Sequence, residues 1–411
     1  MPLLYFIRDS LLATITGGPL YWLWILTLLG LTGVGTTYYI DQLQNGLAVT
    51  GMSDQVSWGF YIANFAFLVG VAASSVLLVI PAYIFHQPSA KKVVLLGEGL
   101  AVAAVIMSIL FVIVDLGRPE RLWHMIPLLG RFNFPMSILA WDVVVLMGYL
   151  IINLAIPFYI QYCHYKDQEP KLWLYFPFII LAIFWAISIH TVTGFLFSAN
   201  TGRPFWHTSL VGPRFIASAF VSGPAIIIFT MQIIRTFTQY PINQEIIKIT
   251  ALIMAVALQI SLFFVGVELF TDFYNETSHA ASMHYLYLGL HGFDSLQPWI
   301  WSALTLNSLA FIILTIHPLR ENLLTLNLAC ISTIIGVWIE KGIGFVVPGF
   351  IPTPLGEIYE YAPTITEYWV SIGIWAIGIL AFTLMAKATI AIELGEISYS
   401  KSKPQADIKL E

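Results

Sequence analysis

Ten separate runs of roughly 20 apolar residues constrain this chain more than any other feature. The hydrocarbon core of a bilayer is about 30 Å thick and an α-helix rises about 1.5 Å per residue, so each run has the length of one crossing. The runs lie near 19–40, 58–85, 92–114, 135–160, 172–198, 214–236, 246–270, 297–316, 322–345 and 366–391. Each is bounded by a polar, charged or Gly/Pro-bearing stretch, and the eighth and ninth divide at His317-Pro318-Leu319-Arg320. Composition excludes a water-soluble fold: 58% of the 411 residues are hydrophobic and 10% charged, against about 25% charged in soluble domains. The expected fold is all-α, a polytopic membrane protein of about ten transmembrane helices. Pro81, Pro157, Pro177 and Pro224 fall inside the runs, where neighbouring helices re-satisfy the freed backbone groups.

Orientation follows from the Lys/Arg bias across short loops. With a cytoplasmic amino terminus, twelve of the 18 cations fall inside and six outside, the six being Arg118, Arg121, Arg131, Arg203, Arg214 and Lys341. Both termini are therefore expected in the cytoplasm. The first apolar run, near Pro19, lacks a preceding basic cluster and reads as a retained helix rather than a cleaved signal peptide. A net charge of −5 spread over loops suggests no nucleic-acid partner. Two cysteines, Cys163 and Cys330, cannot ligate an iron–sulfur cluster or a structural zinc.

Ionisable residues inside a bilayer are costly, and each is a functional-site hypothesis by default. The candidates are Glu98, Asp142, His190, Glu268 and Glu340. Helix direction places Asp142, His190, Glu268 and Glu340 in the outer third of the membrane, with Asp115 closing the outer end of the third helix. Such a set can form one polar pocket. A histidine beside carboxylates, reachable from lipid, suits a quinone headgroup, whose carbonyl oxygens need donors and whose reduction needs protons. The plainer alternatives are a packing histidine bonded to backbone, and structural polar pairs between helices. Glu98, toward the inside, either belongs to a proton path or pairs with Lys91 or Lys92. His279 and His284, five residues apart, do not share a helical face, and no metal site is expected. Haem is not expected either, since only His190 of the histidines lies well inside the membrane. The outside loops are 41–57, 271–297 and 341–365; the last is long, apolar and Pro-rich, and reads as a docking surface rather than as a segment folding back on its own helices.

Several motifs, in order along most of the chain, carry a family resemblance. They are Asp115-Leu-Gly-Arg118-Pro-Glu-Arg121, Phe132-Asn-Phe-Pro-Met-Ser137, His190-Thr-Val-Thr-Gly-Phe195, Gly202-Arg-Pro-Phe-Trp206, Pro213-Arg-Phe-Ile-Ala-Ser-Ala-Phe220 and Glu340-Lys-Gly followed by Pro348-Gly-Phe-Ile-Pro-Thr-Pro-Leu-Gly-Glu357. Together they resemble the NrfD/PsrC family of quinone-interacting membrane subunits, in its ten-helix branch. The nearest subfamily is that of the P subunit of the dissimilatory sulfite-reduction membrane complex (DsrP). The resemblance implies one membrane domain, with four-helix bundles at about 58–198 and 214–345 flanked by the first and tenth helices. It implies a quinone site, menaquinone being the expected type, near the extracytoplasmic face of a prokaryotic cell membrane. An extracytoplasmic ferredoxin-like iron–sulfur subunit would cover that site and exchange electrons with quinol, and cytochrome b-type and multihaem cytochrome c-type subunits are further expected partners. This chain would ligate no redox cofactor and would not be catalytic alone. The family's motif positions map onto Asp115, Arg118, Asn133, His190 and Arg203; Asp142, Glu268 and Glu340 rest on depth alone. Two rival readings are a secondary transporter, whose site would lie near the midplane on interrupted helices, and a structural anchor with a degenerate pocket.

Overall fold

The computed structural model describes residues 2–126, 128–275 and 280–402. It contains ten helices long and apolar enough to cross a membrane: α1 (Pro19–Val49), α2 (Phe60–Ile84), α3 (Val94–Asp115), α4 (Ile138–Tyr165), α5 (Leu172–Ser198), α6 (Val211–Phe237), α7 (Gln244–Tyr274), α8 (Gln297–Thr315), α9 (Leu323–Phe350) and α10 (Ile365–Glu393). No strand occurs among the described residues. The chain is a multi-pass membrane protein. Helix is the form the apolar runs must take, because a backbone in hydrocarbon has to satisfy its own hydrogen bonds.

Two closed rings of helices form the body. Helices α2, α3, α4 and α5 pack in a cycle, and α6, α7, α8 and α9 pack in another. The rings meet where α2 lies on α6 and α9, and where α5 lies on α6. Outside them, α10 packs on α3, and α1 packs chiefly on α10. Small residues set the closest seams, as expected where van der Waals packing replaces the hydrophobic effect. A Cβ on Gly35 of α1 would lie 2.6 Å from Gly373 Cα of α10, and one on Gly223 of α6 would lie 1.9 Å from Ser74 Cβ of α2. The first half of α2, Phe60–Ala73, is buried at every position.

Two helices are not regular. The last turn of α2, Ile80–Ile84, is π-helical and contains Pro81; α9 turns π-helical over Trp338–Ile343. Before α1, the N-terminal helix Pro2–Ile15 packs on α10 and α4 and on the short helix Tyr399–Ser402. Both described ends therefore share one face of the molecule, called here the terminal face. The connections after α1, α3, α5, α7 and α9 lie on the opposite, or loop, face.

The stretch 341–365 corrects an expectation. Residues 341–351 are all buried, α9 continuing through Gly344–Val346 and Pro348–Phe350. The apolar half of this segment thus folds back on its own helices, and 354–357 are exposed. Arg214 and Lys341 are likewise not loop cations: they sit within α6 and α9, at 8% and 3% exposure.

Candidate functional site

In the α2–α5 ring, α4 enters from the loop face and places Asp142 in its second turn, while α5 runs toward that face and carries His190 and Thr193. Three residues apart on a helix, His190 and Thr193 share a side. The Thr193 hydroxyl donates to Asp142 Oδ1 at 2.9 Å, so one carboxylate oxygen is held. The His190 ring, 1% exposed, has no hydrogen-bond partner on Nδ1 or on Nε2 among the described residues. A buried polar group left unpaired costs about 1–3 kcal/mol, so an imidazole with two idle nitrogens asks for a ligand.

The α6–α9 ring assembles a different cluster, with one side chain from each helix. Arg214, in the first turn of α6, donates through Nη1 to Glu268 of α7 and through Nη2 to Glu340 Oε1 of α9 at 3.1 Å. Asn307 of α8 donates to the other Glu340 oxygen at 2.9 Å. Next to it, Lys341 Nζ donates to the Phe215 carbonyl at 3.3 Å and lies 4.4 Å above the Phe215 ring. The π-helical turn lets the consecutive residues Glu340 and Lys341 both point inward, toward different neighbours; such turns recur at functional sites. Room for the ammonium comes from Gly70 of α2, where a Cβ would stand 3.1 Å from Nζ.

A third group lies at the loop-face ends of α1, α3 and α10. The Tyr61 hydroxyl donates to Gln42 Oε1 at 2.7 Å, and Gln42 Nε2 donates to the Val114 carbonyl at 2.6 Å. Adjacent Asp115 has one carboxylate oxygen, Oδ1, buried without a partner among the described residues. Glu367 is fully buried and accepts from Gly51 N at 2.7 Å, from Thr364 N at 2.9 Å and from the Tyr361 hydroxyl. A hollow of about 60 Å³ opens here, lined by Gln42, Gly46, Leu116, Arg118, Pro119 and Glu120 among others.

The residues expected from depth to form one pocket fall into three sets of hydrogen bonds among the described residues, with His190 bonded in none of them. Glu268 and Glu340 meet through Arg214, and Asp142 and His190 flank Thr193. Arg118 is exposed and pairs with Glu120 at 3.4 Å, while Asn133 is exposed on the α3–α4 connection. Arg203 is half-buried, donating to the Phe350 carbonyl at 3.2 Å with its guanidinium 4.7 Å above the Phe350 ring; burial pulls its pKa below the ordinary arginine value. Glu98 is buried in α3 toward the terminal face with Oε2 unpartnered among the described residues, whereas Lys91 and Lys92 are exposed. The alternative of a Glu98 ion pair with those lysines is not formed among the described residues. His279 lies outside the described residues.

Sequence reasoning missed Arg214, Lys341, Thr193 and Asn307. The two cations carried a signal: both sit against apolar runs, and Lys341 directly follows Glu340. Thr193 and Asn307 carried none, because helix rotation is invisible in one sequence.

The chain can now be set beside known proteins. A family model described as Polysulphide reductase, NrfD, matches residues 48–347. An integral membrane subunit of an Hdr-like menaquinol oxidoreductase from Archaeoglobus fulgidus is 25% identical over 383 residues, covering 89% of this chain and 92% of that protein. The C subunit of the selenate reductase of Mesobacillus selenatarsenatis is 23% identical, with 94% and 98% covered. A Halobacterium salinarum protein, provisionally named as the membrane C subunit of a dimethyl sulfoxide reductase, is 27% identical, with 86% and 83% covered. The matched segment runs from the end of α1 through the π-helical turn of α9 and so takes in the first two polar groups whole, and Tyr61 and Asp115 of the third; this chain belongs to the NrfD family of polysulphide reductase membrane subunits.

Proposed function

We propose that this protein is the quinone-interacting membrane subunit of a respiratory redox complex, with His190 at the headgroup. The observation that carries the reading is the buried His190 ring, unpartnered among the described residues, one helical turn from Thr193, whose hydroxyl holds Asp142. The donor set fits: a neutral imidazole offers one N–H to a carbonyl oxygen and one lone pair to a hydroxyl. A bound quinone would supply two-electron, two-proton chemistry there. His190 takes up or returns the proton at the ring nitrogen facing the headgroup. Asp142, kept in place by Thr193, balances the imidazolium that results. Asp115 and Arg118 stand at the membrane surface beside the hollow, and Arg203 braces the α5–α6 connection against α9.

Three relatives, named as membrane or C subunits of two reductases and of a menaquinol oxidoreductase, support a multi-subunit setting and a menaquinone-type ligand. The partner proposed for the loop face is a ferredoxin-like iron–sulfur subunit, which exchanges the electrons that this chain cannot hold, within a complex of the sulfite-reduction type. Removing Arg214 and Lys341 from the six outside cations leaves four against twelve, which supports cytoplasmic termini in a prokaryotic cell membrane. Glu98 is the proposed entry of a proton path from the terminal face. Glu268 and Glu340, bound by Arg214, belong to that path as charge-balancing groups.

The test is saturable binding of a quinol-analogue inhibitor to the complex purified in mild detergent. His190→Gln should abolish it while leaving the subunits assembled, and Asp142→Asn should weaken it. Unchanged binding in His190→Gln removes this ring as the site.

A further inference from the structure

The N-terminal helix Pro2–Ile15 has two faces that demand different surroundings. On one, Phe6 and Asp9 are buried. Phe6 packs edge-on against Phe158, Tyr162 and Tyr165 of α4 at centroid distances of 5.3, 5.6 and 5.4 Å. Asp9 accepts from the Tyr165 hydroxyl at 2.5 Å, from Ser402 and from Arg8. On the other face, Leu3, Leu4, Ile7, Leu11, Leu12 and Ile15 are all exposed, at 45%, 65%, 41%, 62%, 48% and 57%. Their spacing of three and four residues makes one continuous stripe.

The depth of that stripe is marked by its surroundings. Three residues, Thr16-Gly17-Gly18, separate the helix from α1, so the helix cannot leave the membrane surface. Tyr21, Trp22 and Trp24 open α1, a cluster of the kind that sits at headgroup level. The Tyr21 hydroxyl reaches back to the Thr14 carbonyl at 2.5 Å, and Lys387 Nζ of α10 lies 3.5 Å above the Tyr21 ring. Beyond the turn the stripe continues into the exposed side chains Leu20, Leu23 and Leu26 of α1, a surface that only acyl chains can cover along a crossing helix. Arg8, 53% exposed at its side chain, starts from the same arc of the helix, between Ile15 and Leu12, but its guanidinium turns aside to Asp9 and lies 4.8 Å above the Tyr5 ring.

We propose that the helix Pro2–Ile15 is an interfacial anchor that inserts its leucine stripe into the terminal-face leaflet, with membrane lipid as its ligand. The Asp9 contacts with Tyr165 and Ser402 hold the helix in the plane of that leaflet. It is a contact surface separate from the quinone reading and stands on the membrane-spanning fold alone.

The experiment uses single cysteines at Leu4 and Leu11, spin-labelled in the assembled complex in liposomes; Cys163 and Cys330 are buried. At Leu4 and Leu11, collision with dissolved oxygen should exceed collision with a water-soluble nickel chelate severalfold. Leu11→Asp should raise nickel-chelate access at a label on Leu4 severalfold by pulling the stripe out of the leaflet. Nickel-chelate access at Leu4 and Leu11 in the otherwise native helix overturns the proposal in favour of a helix in water. Exclusion of both reagents overturns it in favour of a protein partner.

Discussion

In the α6–α9 ring, Arg214 answers two carboxylates and Asn307 donates to one of them, so those three charges already have each other, while Lys341 rests on the Phe215 carbonyl and Asn307 Oδ1 stays unpartnered among the described residues. In the α2–α5 ring, burial is as deep but, among the described residues, the groups stay partly idle: His190 has two unpartnered nitrogens and Glu98 an unpartnered oxygen. A closed ion cluster offers nothing to a ligand and loses much when broken, because a buried ion without its partner is strongly destabilising. An open cluster stores desolvation cost that a ligand or a moving proton can relieve. The difference teaches where chemistry can occur: burial alone does not mark a site, but burial without a partner does.

The sharpest way to break that comparison is to open the closed ring. Arg214→Met strands Glu268 and Glu340 and should destabilise the protein by about 3–5 kcal/mol, read as loss of folded protein in a detergent thermal-unfolding assay. Adding Glu268→Gln and Glu340→Gln should recover much of it; a single Arg214→Met as stable as the native chain would show that the cluster is not buried as described. Thr193→Val takes the donor from Asp142 and should cost about 1–3 kcal/mol in the same assay. His190→Phe should move stability by less than about 1 kcal/mol, since no bond is lost, yet should abolish analogue binding. A large loss on that substitution would mean that the ring is not open.

Acid should act at the latch of the N-terminal helix. Burial alone would raise the Asp9 pKa, but hydrogen bonds from Ser402, Tyr165 and Arg8 hold it below the usual carboxylate value. A depressed folded pKa means that the carboxylate's contribution is full above the ordinary value and is lost only as pH falls through the folded one. The label at Leu4 should therefore keep its accessibility through mildly acidic pH and change only in strong acid. Last and smallest, Lys248→Ala removes an exposed ion pair with Glu321 and should leave the unfolding temperature unchanged.

Much of the scaffold was legible because apolar runs of bilayer length admit one reading. The ends were less so. The first helix, expected to stop near 40, runs through Asp41, Gln42 and Asn45, since a helix does not end where hydrocarbon does. The fourth likewise extends past 160 to Tyr165. The N-terminal helix was overlooked although its leucines repeat at helical spacing, because it is short and lies outside the long apolar runs. Within the site, the depth of Asp142, His190, Glu268 and Glu340 could be counted from helix ends. Their partners could not: whether Glu340 faces Arg214 or lipid depends on rotation and on a π-helical turn, and neither leaves a mark in residue order.

The seam between α1 and α10 has a consequence for how the protein is made. From Pro19 to Ile365 is 346 residues, roughly 20–70 s of synthesis at about 5–20 residues per second. For that interval the first crossing helix waits in the bilayer with Gly35 facing lipid, its chief neighbour not yet translated. The outer layer of the molecule is thus closed by the last helix to emerge, and a ribosome that stops before α10 leaves both rings built and the amino-terminal crossing unclaimed.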